Sequence, residues 1–231
     1  MLKYRPYNMA FLVSLLLCGG SLLAQTVKLS SYSDDDPDQV MMRLLKSSID
    51  TVIIDYQHEP WMFGPMRFVD ISNKTIMFEK DAVVKAKPNA FPSVIDALFK
   101  FVDCNNINLI GHYNSLTMNK KEYLDGEWRH IIRLRGCSNV KIENLKLSDS
   151  GGDGITIGGG EKNLYSKDIY INIRLQNNIQ SQTIGIQNLH QNQNSIPIHR
   201  SSIQHLLTHL PSLNRRYRDW HSSASLQSLI R

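Results

Sequence analysis

The chain has 231 residues, a formal net charge of +5 and a hydrophobic fraction of 42%. The length favours one domain, and the apolar content excludes a chain too polar to build a sizeable core. The positive charge is too sparse to favour nucleic acid as a partner.

The N-terminal residues have the order of a signal peptide. Lys3 and Arg5 precede the apolar run 9–17, and small residues follow up to Ala24. That run is shorter than the roughly 20 apolar residues that span a membrane. We therefore predict a signal peptide over residues 1–24 and a secreted or periplasmic protein with no membrane span after cleavage. Acylation at Cys18, as in a lipoprotein, is an alternative.

Residues 25–35 are predicted to form a flexible lead-in, and a helix is predicted to follow them. Asp36 can cap the helix, Pro37 suits its first position, and Gln39 can complete a capping box. One apolar face then recurs at helical spacing, formed by Val40, Met41, Leu44, Leu45 and Ile49.

Short strands are predicted over residues 51–55, 75–78 and 82–86, with a turn-rich stretch between the first two and a loop over residues 87–92. Residues 112–128 form a longer excursion with aromatic residues spaced through polar sequence. Long loops on a rigid scaffold often carry binding residues. The alternative is an aromatic flap packed on the fold.

One short phrase recurs along the chain about every thirty residues, at 72–78, 104–109, 137–142 and 166–171. Each copy has a small or polar corner, usually with Asn, followed by a strand of alternating apolar and polar residues. Repeats of this length are typical of solenoids. Because a strand this short buries its apolar face only against a neighbour, we predict stacked coils and an all-β parallel β-helix. The N-terminal helix would cap its open end.

Asn suits the corner of each coil because it tolerates left-handed backbone angles, and stacked Asn amides can hydrogen-bond along the coil axis. Cys104 and Cys137 share one phase of the repeat, just before that Asn. We predict two thiols stacked in adjacent coils, and a disulfide between them is the alternative.

The densest strand signal lies between residues 131 and 157. Its alternation directs one set of side chains inward, namely Ile132, Leu134, Val140 and Ile142. The other set points outward and comprises Arg133, Arg135, Lys141 and Glu143. Glycine-rich turns at 151–154 and 158–160 punctuate this region. Beyond about residue 172 the pattern decays into a Gln/Asn-rich and then Ser/His/Leu/Arg-rich tail, which is either a different end segment or the product of a shifted reading frame.

Four phrases carry a resemblance to a known family: Gly-Pro-Met-Arg at 64–67, the run 78–87, Gly-Glu-Trp-Arg-His at 126–130 and Asp-Ser-Gly-Gly-Asp-Gly-Ile at 149–155. The chain resembles the right-handed parallel β-helix proteins of the pectate lyase superfamily, and most closely their exported bacterial repeat proteins. The residue pattern predicts a β-helix domain over residues 36–175 and an irregular tail over 176–231. The resemblance covers roughly residues 36–171 and implies a polysaccharide as substrate or ligand. Family members usually continue for several more coils.

The chemistry of such a scaffold points to a small set of candidate residues. Elimination on an acidic polymer requires a base and a cation, or a metal such as calcium, to neutralise the uronate. Hydrolysis requires two carboxylates about 5–9 Å apart. The candidate catalytic residues are Asp153, Asp149 and His130, and the candidate substrate contacts are Arg129, Arg133, Arg135 and Trp128.

Asp153 is the first of these candidates, since the resemblance implies a catalytic Asp in an Asp-Gly-Ile setting. A glycine-flanked Asp is also a common turn former. Two function classes follow from the sequence: a lyase-like or glycosidase-like enzyme acting on an acidic glycan, and a non-catalytic glycan-binding or inactive β-helix. Convergence of the candidates in one groove would favour the enzyme.

Overall fold

The chain winds into a parallel β-solenoid of about four turns with one short helix at its N-terminal end. The structure is a computed structural model, and it describes residues 24–32, 35–126, 128–176 and 184–186. This architecture confirms the predicted fold class. The predicted signal peptide up to residue 23 and most of the predicted tail lie outside the described residues. No helix among the described residues is long and apolar enough to cross a membrane.

Two parallel sheets form the walls of the solenoid. The first, sheet A, contains β1 (Thr26–Lys28), β2 (Thr51–Ile54), β3 (Trp61–Phe63), β5 (Ser72–Phe78), β6 (Val84–Ala86), β8 (Asn105–Thr117), β10 (Ser138–Ser148) and β12 (Lys167–Gln176). The second, sheet B, contains β4 (Met66–Val69), β7 (Ala97–Val102), β9 (His130–Arg135), β11 (Ile155–Gly158) and β13 (Ile184–Ile186).

The middle coils keep a constant length, which places equivalent residues directly above one another. Asn73 and Asn106 lie 33 residues apart, and so do Asn105 and Ser138, in adjacent coils of sheet A. In sheet B, Phe68 pairs with Phe101. Their rings stack inside the solenoid with centroids 5.2 Å apart. Stacking like on like therefore builds one continuous core from strands that are too short to bury an apolar face alone.

An asparagine ladder marks the corner that precedes the long strands of sheet A. Asn73, Asn106 and Asn139 all have positive φ angles between 53° and 58°, and Asp168 has the same conformation one coil further on. The Asn106 amide donates to the Asn73 side-chain oxygen at 2.8 Å. The Asn139 amide instead donates to the side chain of Asn105. The predicted role of Asn at the corners is confirmed.

Helix α1 (Pro37–Lys46) lies at the N-terminal end of the solenoid. Asp36 caps it by accepting the Asp38 backbone N–H at 2.9 Å, and Pro37 occupies the first turn as predicted. Its buried face consists of Val40, Met41, Leu44 and Leu45 and packs on strands of the first coil. The helix therefore covers apolar core that an open solenoid end would expose.

The two cysteines lie in the core at the turn between the sheets. Cys104 and Cys137 are both buried free thiols in adjacent coils. The Ser138 backbone N–H donates to the carbonyl of Cys104. The prediction of stacked thiols is confirmed. The neighbouring Cys104 thiol and burial both raise the pKa of Cys137.

Several strands lie where the sequence pattern indicated loops. The segment predicted as a flexible lead-in contains β1 and a 3₁₀ turn at Leu29–Tyr32. The turn-rich stretch contains β3 and β4. The excursion over residues 112–128 begins as strand, because β8 continues to Thr117. A bulge with Tyr113 at φ 64° and the Asn114 amide bonded to Glu79 and Ala82 carbonyls turns the strand without ending it.

Candidate functional site

Three basic residues stack on the outer face of sheet B, one on each of three adjacent coils. Arg67 on β4 pairs in register with Lys100 on β7, which pairs with Arg133 on β9. Adjacent strands lie about 4.8 Å apart, so the three backbones are regularly spaced along the solenoid axis. Arg135 points to the same face two residues beyond Arg133. We call these four residues the basic ladder.

Lys100 occupies the centre of the basic ladder. Among the described residues its ammonium has no hydrogen-bond or ion-pair partner. Burial lowers the pKa of Lys100, and the charges of Arg133, Arg67 and Arg135 lower it further. A half-buried cation surrounded by cations attracts an anion.

Glu161 is the carboxylate that meets the basic ladder. Its two oxygens lie 2.6 and 2.7 Å from one guanidinium nitrogen of Arg67. This hydrogen bond, followed by the charges of Arg67, Lys100 and Arg135, holds the pKa of Glu161 below its usual range. The four cations of the basic ladder outnumber this one carboxylate, so the net charge of the surface is positive.

Arg133 points outward in register, as predicted, but it is not a solvent-facing residue. Its exposed fraction is 6%. One guanidinium nitrogen donates at 3.2 Å to the Ile95 carbonyl, in the segment 88–96, while its Nε is buried with no hydrogen-bond partner among the described residues. Burial and the charge of Arg135 lower the pKa of Arg133. Arg135 donates to the Gly159 carbonyl and is half-buried.

Arg129 holds a loop in place and has little capacity left for a ligand. Its guanidinium donates to the carbonyls of Phe91 and Pro92 and to the Asp125 carboxylate, and it lies 5.2 Å from the Tyr123 ring centroid. Only 3% of Arg129 is exposed. By contrast, the neighbouring Trp128 is half exposed. Glu127, which directly precedes Trp128, lies outside the described residues.

Two of the candidate catalytic residues, His130 and Asp153, lie in contact with each other. The His130 Nδ1 accepts the Asp153 backbone N–H at 3.0 Å and lies 3.8 Å from its carboxylate. Thr156, which pairs with Arg133 in register, donates to the same carboxylate at 3.2 Å. The His130 Nε2 is buried without a hydrogen-bond partner. Burial, reinforced by the charge of Arg133, lowers the pKa of His130 to about 4, so the imidazole is neutral at pH 7.

The pair is adjacent to the basic ladder but is not open to solvent. His130 is 1% exposed and Asp153 is 7% exposed. Asp149, at the other end of the same glycine-rich turn, is half-buried in a left-handed conformation, and its N–H donates to the Gln176 carbonyl. The candidates therefore cluster around β9 and β11 without lining one open groove.

Arg67 and Lys100 were missed as site residues by the motif-based reading of the sequence. The signal that finds them is the coil length, because positions 67, 100 and 133 follow the same 33-residue spacing as the asparagine corners. Each lies in an apolar strand whose neighbours point inward. A basic residue at the same phase of three coils is thus readable from the sequence once the repeat length is known.

No group of three or more His, Cys, Asp or Glu side chains able to hold one metal ion occurs in the part of the chain that the structure describes. A cleft of about 310 Å³ lies beside Arg129 and is lined in part by Phe91, Tyr123 and Leu124.

No protein-family model and no curated protein matches the sequence. Among solved structures, the chain is similar to a "putative glycosyl hydrolase" from Parabacteroides merdae ATCC 43184. The identity is 17%, the TM-score is 0.43, and the match covers 63% of this chain and 79% of that chain. A similarity this distant carries no argument about function, and the solenoid assignment rests on the strand pairing itself. Membership of the pectate lyase superfamily remains a prediction.

Proposed function

We propose that this chain is an exported β-solenoid that binds an acidic, uronate-containing polysaccharide along the basic ladder. The observation that carries the proposal is the Lys100 ammonium, which lies between two arginines on adjacent coils and has no hydrogen-bond or ion-pair partner in the described part of the chain. A carboxylate placed there relieves the repulsion among the cations and gains charge-assisted hydrogen bonds.

The shape of the surface supports a polymer over a single small anion. Arg67 is exposed, and Lys100 and Arg135 are half-buried. Adjacent strands lie about 4.8 Å apart along the solenoid axis, so a chain with repeated carboxylates meets more than one of these three cations at once. Each additional contact on one chain is intramolecular, which raises the overall affinity without any new type of interaction.

Binding is better supported than catalysis for this chain. A general acid or base must come within about 3 Å of the substrate atom it serves. His130 and Asp153 are both more than nine-tenths buried, and the Nδ1 of His130 already accepts a backbone N–H. Arg129, which directly precedes His130, already donates to the carbonyls of Phe91 and Pro92 and to the Asp125 carboxylate.

A polysaccharide-degrading activity is the second candidate, and one observation favours it. The buried His130 and Asp153 lie next to Thr156 and Arg133, and the pKa of His130 is displaced to about 4. Displaced pKa values cluster at catalytic sites, although structural networks also produce them. Catalysis here would require the segment 88–96 to move away from Arg133.

The test is a titration of the purified protein with polygalacturonate and alginate, with a neutral glucan as the control polymer. We expect saturable binding of the uronate polymers, weakened by salt, and none of the glucan. Equal binding of all three, or none, would contradict the proposal. The same samples are followed for ultraviolet absorbance of unsaturated ends and for reducing sugar. A rise in either, lost in an Asp153→Asn variant, would establish the second candidate.

A further inference from the structure

A preformed cleft is lined in part by Phe91 and Pro92, in the same segment 88–96 whose Ile95 carbonyl contacts Arg133 of the basic ladder. It has a volume of about 310 Å³, at the lower end of the range of small-molecule sites. Its apolar walls come from Phe91, Pro92, Tyr123 and Leu124. A cavity of this size fits one small ring and not a polymer segment.

The walls of the cleft are held by a glycine and an arginine that the basic ladder does not use. Gly151 adjoins the Tyr123 ring so closely that a Cβ there would lie 2.5 Å from a ring carbon. Arg129 fixes the opposite wall by donating to the carbonyls of Phe91 and Pro92. The Phe91 and Tyr123 rings meet edge to face at 6.3 Å. The cleft is thus built by packing and hydrogen bonds before any ligand arrives.

The polar groups of the cleft are mainly acceptors. Glu122 and Asp125 contribute carboxylates to the lining, and both side chains are accessible. The hydrogen bond from Arg129 holds the pKa of Asp125 below its usual range, so this group is ionised at neutral pH. The Arg129 guanidinium directs its donors to the wall carbonyls and to Asp125. Arg129 balances the charge of Asp125, so the lining has one unbalanced negative charge, that of Glu122, and no cation without a partner in the lining to bind a ligand anion.

Leu124 at the rim is the most exposed large apolar side chain among the described residues, with 91% of its surface accessible. A ligand with an apolar face would cover part of it, and each buried CH₂ group contributes about 0.8 kcal/mol. Hydroxyl groups on the edge of the same ligand would donate to the carboxylates of Glu122 and Asp125, which can only accept.

We infer that this cleft binds a neutral pyranose, with its C–H face on Leu124 and its hydroxyls on Glu122 and Asp125. The inference rests on the proposed function in one respect: the neutral sugar is a unit or branch of the glycan whose uronates lie on the basic ladder. The acidic lining and the basic ladder would then select different sugars of one heteropolymer.

The test is ligand-observed NMR with methyl glycosides of galactose, glucose, mannose and rhamnose, with galacturonate and glucosamine as charged comparators. We expect saturable binding of at least one neutral glycoside. The variant Leu124→Ser should weaken that binding about threefold to tenfold through lost apolar contact. The matched control Leu164→Ser removes a half-exposed leucine outside the cleft and should leave it unchanged.

Three results would overturn the inference: no neutral glycoside binds, a charged comparator binds more tightly, or the two leucine variants behave alike. Titration with polygalacturonate on the same protein separates this inference from the proposed function. Polymer binding that persists without any glycoside binding overturns only the cleft. Loss of polymer binding with glycoside binding intact overturns the ladder and leaves the cleft as a neutral-sugar site.

Discussion

Lys100 and Arg133 lie opposite each other on adjacent strands of sheet B, with both side chains directed to the outer face. Like charges directly opposite in a sheet destabilise it. Here Lys100 is half-buried and Arg133 is buried. The charge of Arg133 contributes to the lowered pKa of Lys100. An anion between the two would convert this repulsion into attraction, which is why the basic ladder is the centre of the functional proposal.

Removal of the carboxylate that already meets the ladder should strengthen polyanion binding. Glu161→Gln removes the carboxylate that Arg67 contacts and raises the net positive charge of the basic ladder by one. Exposed ion pairs are worth about 0.2–1 kcal/mol, so we expect a gain in polygalacturonate affinity of roughly twofold to fivefold by titration calorimetry.

Glu143→Gln is the matched control for that gain. Glu143 also pairs with a basic residue, Lys141 at 2.8 Å, but on sheet A. The same charge change there should leave the affinity within error. An equal gain in both variants would show that net charge, and not the ladder, determines binding.

The stability of the protein should fall with acid in a window set by His130. Its pKa is about 4 in the folded state and about 6.5 in an unfolded chain. Above pH 6.5 the imidazole is neutral in both states and contributes nothing. Between pH 6.5 and 4 the unfolded state binds the extra proton, so the free energy of unfolding decreases by up to about 3 kcal/mol. Below pH 4 this contribution levels off.

Urea denaturation at half-unit steps from pH 7.5 to 4 measures this slope. The variant His130→Gln should be flatter than the unmodified protein across the window, whatever its stability at pH 7. Parallel pH profiles for the two proteins would contradict the burial of a neutral imidazole at this position.

Gly160 should tolerate no side chain, because it packs against the turn around Asp103. A Cβ at Gly160 would lie 1.8 Å from an Asp103 carboxylate oxygen and 2.9 Å from the backbone of Gly136. That oxygen is buried, and the other accepts the N–H groups of residues 161 and 162. We expect Gly160→Ala to lower the free energy of unfolding by about 1–3 kcal/mol.

Gly159→Ala is the control, since its Cβ would meet nothing nearer than 3.8 Å. Its free energy of unfolding should stay within about 0.5 kcal/mol of the unmodified protein. Similar losses for the two variants in denaturant titrations would contradict the close packing of this turn.

Much of the fold could be predicted from the sequence because the coils repeat the same local features. A left-handed corner at Asn73, Asn106 and Asn139 and an alternating strand after each of them are local properties, and the chain shows them in order. The capping helix was readable for the same reason, since Asp36 and Pro37 act within one turn of it.

Sheet B was harder to predict because its strands are buried on both sides over much of their length. In β7, five of six residues are apolar, so the run carries no alternation that distinguishes a strand from other buried segments. The sequence predicts a loop over residues 87–92, but the contact of the Ile95 carbonyl with Arg133 depends on tertiary packing and has no local signal. The sequence therefore placed Arg133 on the correct face and in the wrong environment.

The sequence identified several residues of the candidate site but did not predict whether their side chains are exposed. The contact of His130 with Asp153 follows from motifs 23 residues apart that stacking brings together. Their burial depends on how the neighbouring turns pack. Lys100 lacked any motif, and only the registered coils reveal that it lies between Arg67 and Arg133.

The most direct test of the account is the polygalacturonate affinity of Lys100→Gln beside that of Lys85→Gln, measured at low and physiological salt. Both variants remove one lysine charge from a strand, but Lys85 is exposed on sheet A, away from the ladder. We expect Lys100→Gln to weaken binding about fivefold or more and to reduce its salt dependence, while Lys85→Gln matches the unmodified protein. Equal affinities for the two variants would contradict the claim that the basic ladder is where the polymer binds.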